Sequence, residues 1–221
     1  MKKVSLNRMH QVVSFLIVFV SLQFLGSSAF ADSYFHNNRL DATVPANCRE
    51  MEIRNFYTLS RFMIYGIQGA RAAGFTHEYP ITRRDAESLW GTLKSESLHG
   101  TPKLTGNTAT LYAYGRQMGF DFVNEGEVLE LLAILQLKQE YPDREYFLTG
   151  SVAYGEAGVP NMGELDIVVA RRSDCGVVAV GEAKLGVNQR PHAAQQLRRF
   201  MQFLQHKLCL RGEKAPVCTL R

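Results

Sequence analysis

Asp166, Glu182 and Lys184 are the residues of this chain whose types and spacing could do chemistry together. They lie in two β-favouring runs, Leu165–Ala170 and Val177–Lys184, joined by Arg171-Arg172-Ser173-Asp174-Cys175-Gly176. A hairpin turning about Asp174 pairs residues whose numbers sum to 348, and Asp166 with Glu182 is such a pair. Directly opposed residues have Cβ atoms about 5 Å apart. Strand alternation keeps Lys184 on the face of Glu182 and turns Ala183 to the other side. A one-residue slip would break the set. Two like charges facing each other destabilise a sheet unless something offsets them. A divalent cation does so, and two carboxylates plus water suit Mg²⁺. A lysine beside the ion could hold a bound water or neutralise a developing negative charge. That is the equipment for metal-assisted hydrolysis of a phosphodiester. The plainer reading is a solvated strand face carrying a Glu–Lys pair.

The flanking elements must hold those residues. Gly126–Gln139 reads as a helix with Val128, Leu131, Leu132 and Leu135 on one face, Asn124 as its cap and Tyr141-Pro142 as its stop. Tyr146–Tyr154 reads as one strand, followed by a turn-rich loop over Gly155–Gly163. Pro191–Leu208 reads as a helix with Leu197, Met201, Leu204 and Leu208 as its buried stripe. Upstream, Asp32–Asn47 is polar and aperiodic and reads as a loose leader. Arg49–Ala73 has helical spacing (Ile53, Phe56, Ser60, Met63, Ile67), and Thr82–Lys94 suits a short helix capped by Thr82.

Gly163-Glu164-Leu165-Asp166-Ile167-Val168 followed by Gly181-Glu182-Ala183-Lys184 resembles the Asp…Glu-x-Lys core of the PD-(D/E)xK nuclease superfamily. The order helix, hairpin, helix over about residues 122–208 is similar to that core too. The resemblance implies an α/β fold: a restriction-endonuclease-like or resolvase-like core of helix, three-stranded antiparallel meander and helix. The core would occupy 122–221, with 32–121 as an N-terminal, mostly helical extension. It implies that Asp166, Glu182 and the Ala183 carbonyl hold Mg²⁺, with Mn²⁺ able to substitute, and that Lys184 orients the attacking water. Members place a glutamate four residues after a glycine on the preceding helix, which makes Glu130 the third catalytic and metal carboxylate, with Glu127 as the alternative. Gln196-Leu197-Arg198-Arg199-Phe200 is similar to a Gln-x-x-x-Tyr element, with Phe in place of Tyr. Gln196 is then left to steady the lysine or a phosphate.

Charge points to a partner. Of 25 Lys+Arg, three (Lys2, Lys3, Arg8) fall in the first 31 residues, which hold no acid, so the rest carries 22 bases against 21 acids. That +1 gives no overall argument for a polyanion partner. Locally, however, Lys184–Arg221 holds eight bases and one acid. Arg190, Arg198 and Arg199 are natural phosphate contacts, so the basic C-terminal region is expected to bind DNA, or RNA as the other polyanion. A homodimer is compatible with the same reading.

The start of the chain reads as a signal peptide over residues 1–31. A basic start leads into the apolar run Val12–Leu25 and then Ala29-Phe30-Ala31. The run is short for a span of about 20 residues, so an uncleaved anchor is the weaker reading. The expected location is periplasmic or secreted. Four cysteines (Cys48, Cys175, Cys209, Cys218) in an oxidising compartment favour disulfides; they allow three pairings, and Cys209–Cys218 is the easiest to close. The expectation is an exported Mg²⁺-dependent nuclease. Its rival is a non-catalytic nucleic-acid-binding or protein-interaction module on the same fold.

Overall fold

Val177–Lys184, rich in valine and alanine, is buried along almost its whole length and forms a central strand of the larger sheet. The computed structural model describes residues 33–66, 83–98, 106–159, 161–209 and 214–220. The expected signal peptide, the end of the expected helix 49–73 and the Thr82 cap lie outside them. In chain order the elements are β1 (Ser33–Asn37), β2 (Arg61–Gly66), α1 (Arg83–Leu98), α2 (Gly106–Gln117), α3 (Glu125–Leu137), β3 (Tyr146–Thr149), β4 (Val152–Glu156), β5 (Gly163–Leu165), β6 (Ile167–Arg171), β7 (Val177–Lys184) and α4 (Arg190–Leu208).

The fold is mixed α/β with two sheets, ordered β2-β7-β6-β3 and β1-β4-β5. Strand alternation divides the core. Ile167, Val169 and Ala179 pack with Leu93, Leu111 and the apolar side of α3, whereas Val168, Ala170 and Val180 pack with Leu197, Phe200 and Leu204 of α4. Helices therefore cover both faces of the larger sheet. An aromatic chain joins β1 to α4: Phe35 stacks on Phe56 at 4.5 Å, Phe56 meets Phe200 at 5.4 Å, and Tyr154 meets Phe200 at 4.7 Å. Such pairs contribute about 0.5–1.5 kcal/mol each beyond area burial.

Asn124 caps α3 through its side chain, which accepts from the Glu127 N–H at 3.2 Å. The β6–β7 hairpin has the expected register: Ile167 faces Gly181, Val168 faces Val180 and Val169 faces Ala179. A bulge beyond Val169 absorbs one residue near the turn.

Several expectations need correction. The polar leader is not loose, since β1 pairs antiparallel with β4 from Ser33–Glu156 to Asn37–Val152. Arg49–Ala73 is not one helix. Its described part forms a 3₁₀ turn at Ile53–Thr58 and then β2, parallel to β7. A three-residue step such as Ile53–Phe56 suits a 3₁₀ turn as well as an α-helix. The run Phe62-Met63-Ile64-Tyr65 gains more by pairing with a central strand. The segment expected as a mostly helical extension thus contributes a strand to each sheet. Tyr146–Tyr154 is not one strand either: Gly150 and Ser151 (φ 55°) break it into β3 and β4, which enter different sheets. Leu165–Ala170 splits likewise at Asp166. The expected three-stranded meander survives only as β3-β6-β7.

Gly150 explains the break. A Cβ there would lie 2.0 Å from the Asp166 carbonyl oxygen, so only glycine lets the two backbones approach. Gly150→Ala is expected to lose about 1–3 kcal/mol by overpacking, read as a lower urea midpoint. An unchanged midpoint would refute this account of the break.

Two disulfides, Cys48–Cys175 and Cys209–Cys218, join the four cysteines, as suits an exported protein. The first spans a sequence separation of 127. In the chain-entropy model a crosslink that long stabilises by roughly 5 kcal/mol. No described helix is long and apolar enough to cross a membrane.

Candidate active site

The split between β5 and β6 puts Asp166 at the point where the chain leaves one sheet for the other. Its Oδ2 accepts from the Ala183 N–H at 2.9 Å and from Lys184 Nζ at 2.8 Å. Lys184 Nζ also lies 2.9 Å from Glu182 Oε2. The hairpin therefore brings the three residues together. The Glu182 side chain is wholly buried, and its Oε1 has no hydrogen-bond partner among the described residues.

The electrostatics follow from that burial. Desolvation, then the charge of Asp166, pushes the Glu182 carboxyl up to about 8, with Lys184 opposing the shift. The shift favours the protonated form of Glu182. Burial alone would lower the pKa of Lys184. Asp166 above all, with Glu182, more than offsets it and raises the pKa, so the side chain is a fixed ammonium and not a base.

Glu130 lies on α3, and Asp166 adds to its upward shift, but its carboxylate is turned to another partner. Arg39, just beyond β1, forms an ion pair with Glu130 Oε2, both side chains being largely buried. Burial raises the Glu130 carboxyl to about 7 against the pull of Arg39. Glu127, the alternative, is raised by burial and then by Asp121, and its Oε2 is buried without a partner among the described residues. Among the described residues no group of three or more His, Cys, Asp or Glu is arranged to hold a metal. The carboxylates that meet are Asp166 and Glu182. Glu182's buried, unpartnered oxygen beside the Asp166 carboxyl fits a divalent cation, because such an ion would satisfy what the protein leaves unsatisfied.

The chain matches no family model, and no curated protein or solved structure matches it significantly.

On α4, Arg190, Arg198 and Arg199 are exposed, and Lys207 is taken by Glu156 at 2.7 Å. Gln196 is half-buried and makes no hydrogen bond to Lys184 through its Oε1, which has no partner among the described residues. Two residues escaped the sequence reading. Arg39 sits in a polar stretch with no periodic signal. Tyr154 packs its ring on Phe200, and its phenol, pushed up to about 12 by burial, feels the opposed charges of Arg199 and Glu182. It brings a hydroxyl-bearing ring against the phenylalanine at the Gln-x-x-x-Tyr position, but from strand β4 and not from the helix itself.

Proposed function

We propose that the protein is an exported, divalent-metal-dependent nuclease that hydrolyses DNA phosphodiesters. The observation that carries this reading is the buried Asp166–Glu182 pair, bridged by an ammonium and left with an unpartnered carboxylate oxygen. Asp166 and Glu182 would hold Mg²⁺ or Mn²⁺. A bound ion of that kind supplies positive charge against a phosphate oxygen and an activated water.

The chain's own residues account for the remainder. Lys184 offers a fixed charge and N–H donors where negative charge grows on the phosphorane oxygens. The Ala183 N–H and Lys184 fix the Asp166 carboxylate, and the buried surroundings strengthen each of these interactions. The exposed arginines of α4 would grip the phosphate backbone without reading sequence.

The test is cleavage of supercoiled plasmid and of single-stranded DNA by the oxidised protein, with Mg²⁺, Mn²⁺ or EDTA, beside Asp166→Asn. Metal-dependent cutting that is lost in the variant is the expected result. No cutting, together with thermal stability indifferent to Mn²⁺, would favour the non-catalytic module, since a formed metal site must gain stability from its ion.

A further inference from the structure

We propose that the cavity between β1 and the segment 39–51 binds a small organic cation, a primary amine on an apolar body, with Asp41 as its counter-charge. The inference is separate from the Asp166–Glu182 pair and does not depend on the nuclease reading.

The cavity measures about 430 Å³, within the roughly 300–1,000 Å³ that small-molecule sites occupy. One water takes up about 30 Å³ in the liquid, so the space exceeds what hydrating a single buried group requires. Its wall is largely apolar, formed by Phe35, Val44, Met51 and Val152 beside the buried Cys48. That wall is braced on two sides: β1 pairs along its length with β4, and Cys48 is bonded to Cys175 beyond β6. Leu40 lines the same space yet is 95% exposed, which puts further apolar surface at the rim.

Asp41 supplies the recognition. It lines the cavity and is only 8% exposed. Its Oδ1 accepts from the Thr43 N–H at 2.7 Å and from Thr43 Oγ1 at 2.5 Å. Its Oδ2 is buried with no hydrogen-bond partner among the described residues. The local turn thus fixes the carboxyl through one oxygen and leaves the second without a donor. A buried carboxylate oxygen in that condition is costly, and an ammonium meets it with charge and N–H groups together. Arg39 does not serve, although it lines the cavity. Its guanidinium is paired with Glu130 and lies 3.8 Å over the Phe120 ring. Arg49 and Glu50, both exposed in the lining, carry opposite charges and leave that of Asp41 uncompensated. An anion would be repelled by the same carboxylate, and a purely apolar ligand would leave Oδ2 unsatisfied.

Phenethylamine, phenethyl alcohol and phenylacetate share an apolar body and differ in the head group. Each is titrated into the full oxidised chain and followed through backbone amide shifts. The amine should bind with a Kd in about the millimolar range and shift the N–H signals of residues 40–44. The alcohol should bind about tenfold more weakly, and phenylacetate not detectably. Asp41→Asn keeps the Oδ1 acceptor for Thr43 and should weaken amine binding by about tenfold or more. Should that variant fold poorly, Ala42→Trp, at an exposed position of the lining, fills the space and should abolish binding. Equal binding of amine and phenylacetate overturns the inference, as does unchanged amine affinity in either folded variant. So does absence of amine binding at about 10 mM, which would leave Asp41 to water. A chain that cuts DNA but ignores the amine loses this inference alone, and one that binds the amine but does not cut loses only the nuclease reading.

Discussion

Replacing Lys184 by methionine is expected to lower metal-dependent DNA cleavage by about 10²–10⁴-fold. Methionine keeps most of the apolar stem and removes the charge. The ammonium is 2.8 Å from Asp166 Oδ2 and 2.9 Å from Glu182 Oε2, so its removal takes a counter-charge from both carboxyl groups. Burial pulls its pKa down, but Asp166 and Glu182 more than offset that and favour the charged form, which suits electrostatic stabilisation. In the variant Asp166 Oδ2 keeps its bond from the Ala183 N–H but loses its counter-charge. Removing one member of a buried pair costs up to about 3–5 kcal/mol. Rates should therefore be taken well below the melting temperature, at saturating Mn²⁺, with near-UV circular dichroism to establish folding. Lys184→Arg retains charge but not the compact ammonium, so partial recovery is expected there. Wild-type rates in folded Lys184→Met would remove Lys184 from the chemistry.

The hairpin was the legible part of the site. A turn centred on Asp174 and strict strand alternation suffice to bring Asp166, Glu182 and Lys184 together, because both rules act over a short stretch of chain. Capping by Asn124 was readable for the same reason: the donor it satisfies is three residues away. What could not be read depends on partners far along the chain. β1 is a strand because β4 lies more than a hundred residues later to receive it, and β2 because β7 does. The break at Gly150 reflects one close approach to the Asp166 carbonyl, which no local pattern announces. α2 escaped notice because its interior Gly115 weakens a helical pattern, yet a Cβ there would stand 2.2 Å from the Phe122 ring. Glu130 has the spacing of a third site carboxylate, but its engagement with Arg39 belongs to the fold alone. Such an ion pair between distant elements leaves no trace in periodicity or composition.

The stability of the metal-free protein is expected to fall as pH rises from about 5 to 8, and Glu182→Gln should flatten that fall. The folded Glu182 carboxyl titrates at about 8, against an ordinary value of 4.5. Well below the ordinary value both folded and unfolded chains hold the proton, and the group takes nothing from stability. Between the two values the unfolded chain releases it while the folded chain keeps it, so the unfolded state binds fewer protons and stability declines. Glu130, at about 7 when folded, adds a fall of the same sign over a narrower window. At 1.36 kcal/mol per unit, Glu182 alone sets an upper bound of about 5 kcal/mol. Asp174 and Glu156 shift the other way through Arg171 and Lys207, but their effects lie below the ordinary carboxylate range. The two windows do not overlap. Urea titrations at pH 5, 6, 7 and 8 in EDTA would measure the decline, and a flat or rising profile would refute the buried, proton-holding Glu182. Repeating the series with saturating Mn²⁺ carries the argument to function. A cation held by Glu182 competes with its proton, so the stabilisation by metal should grow as pH rises. The residue that weakens the empty protein at alkaline pH would then be the one that makes its ion bind best there.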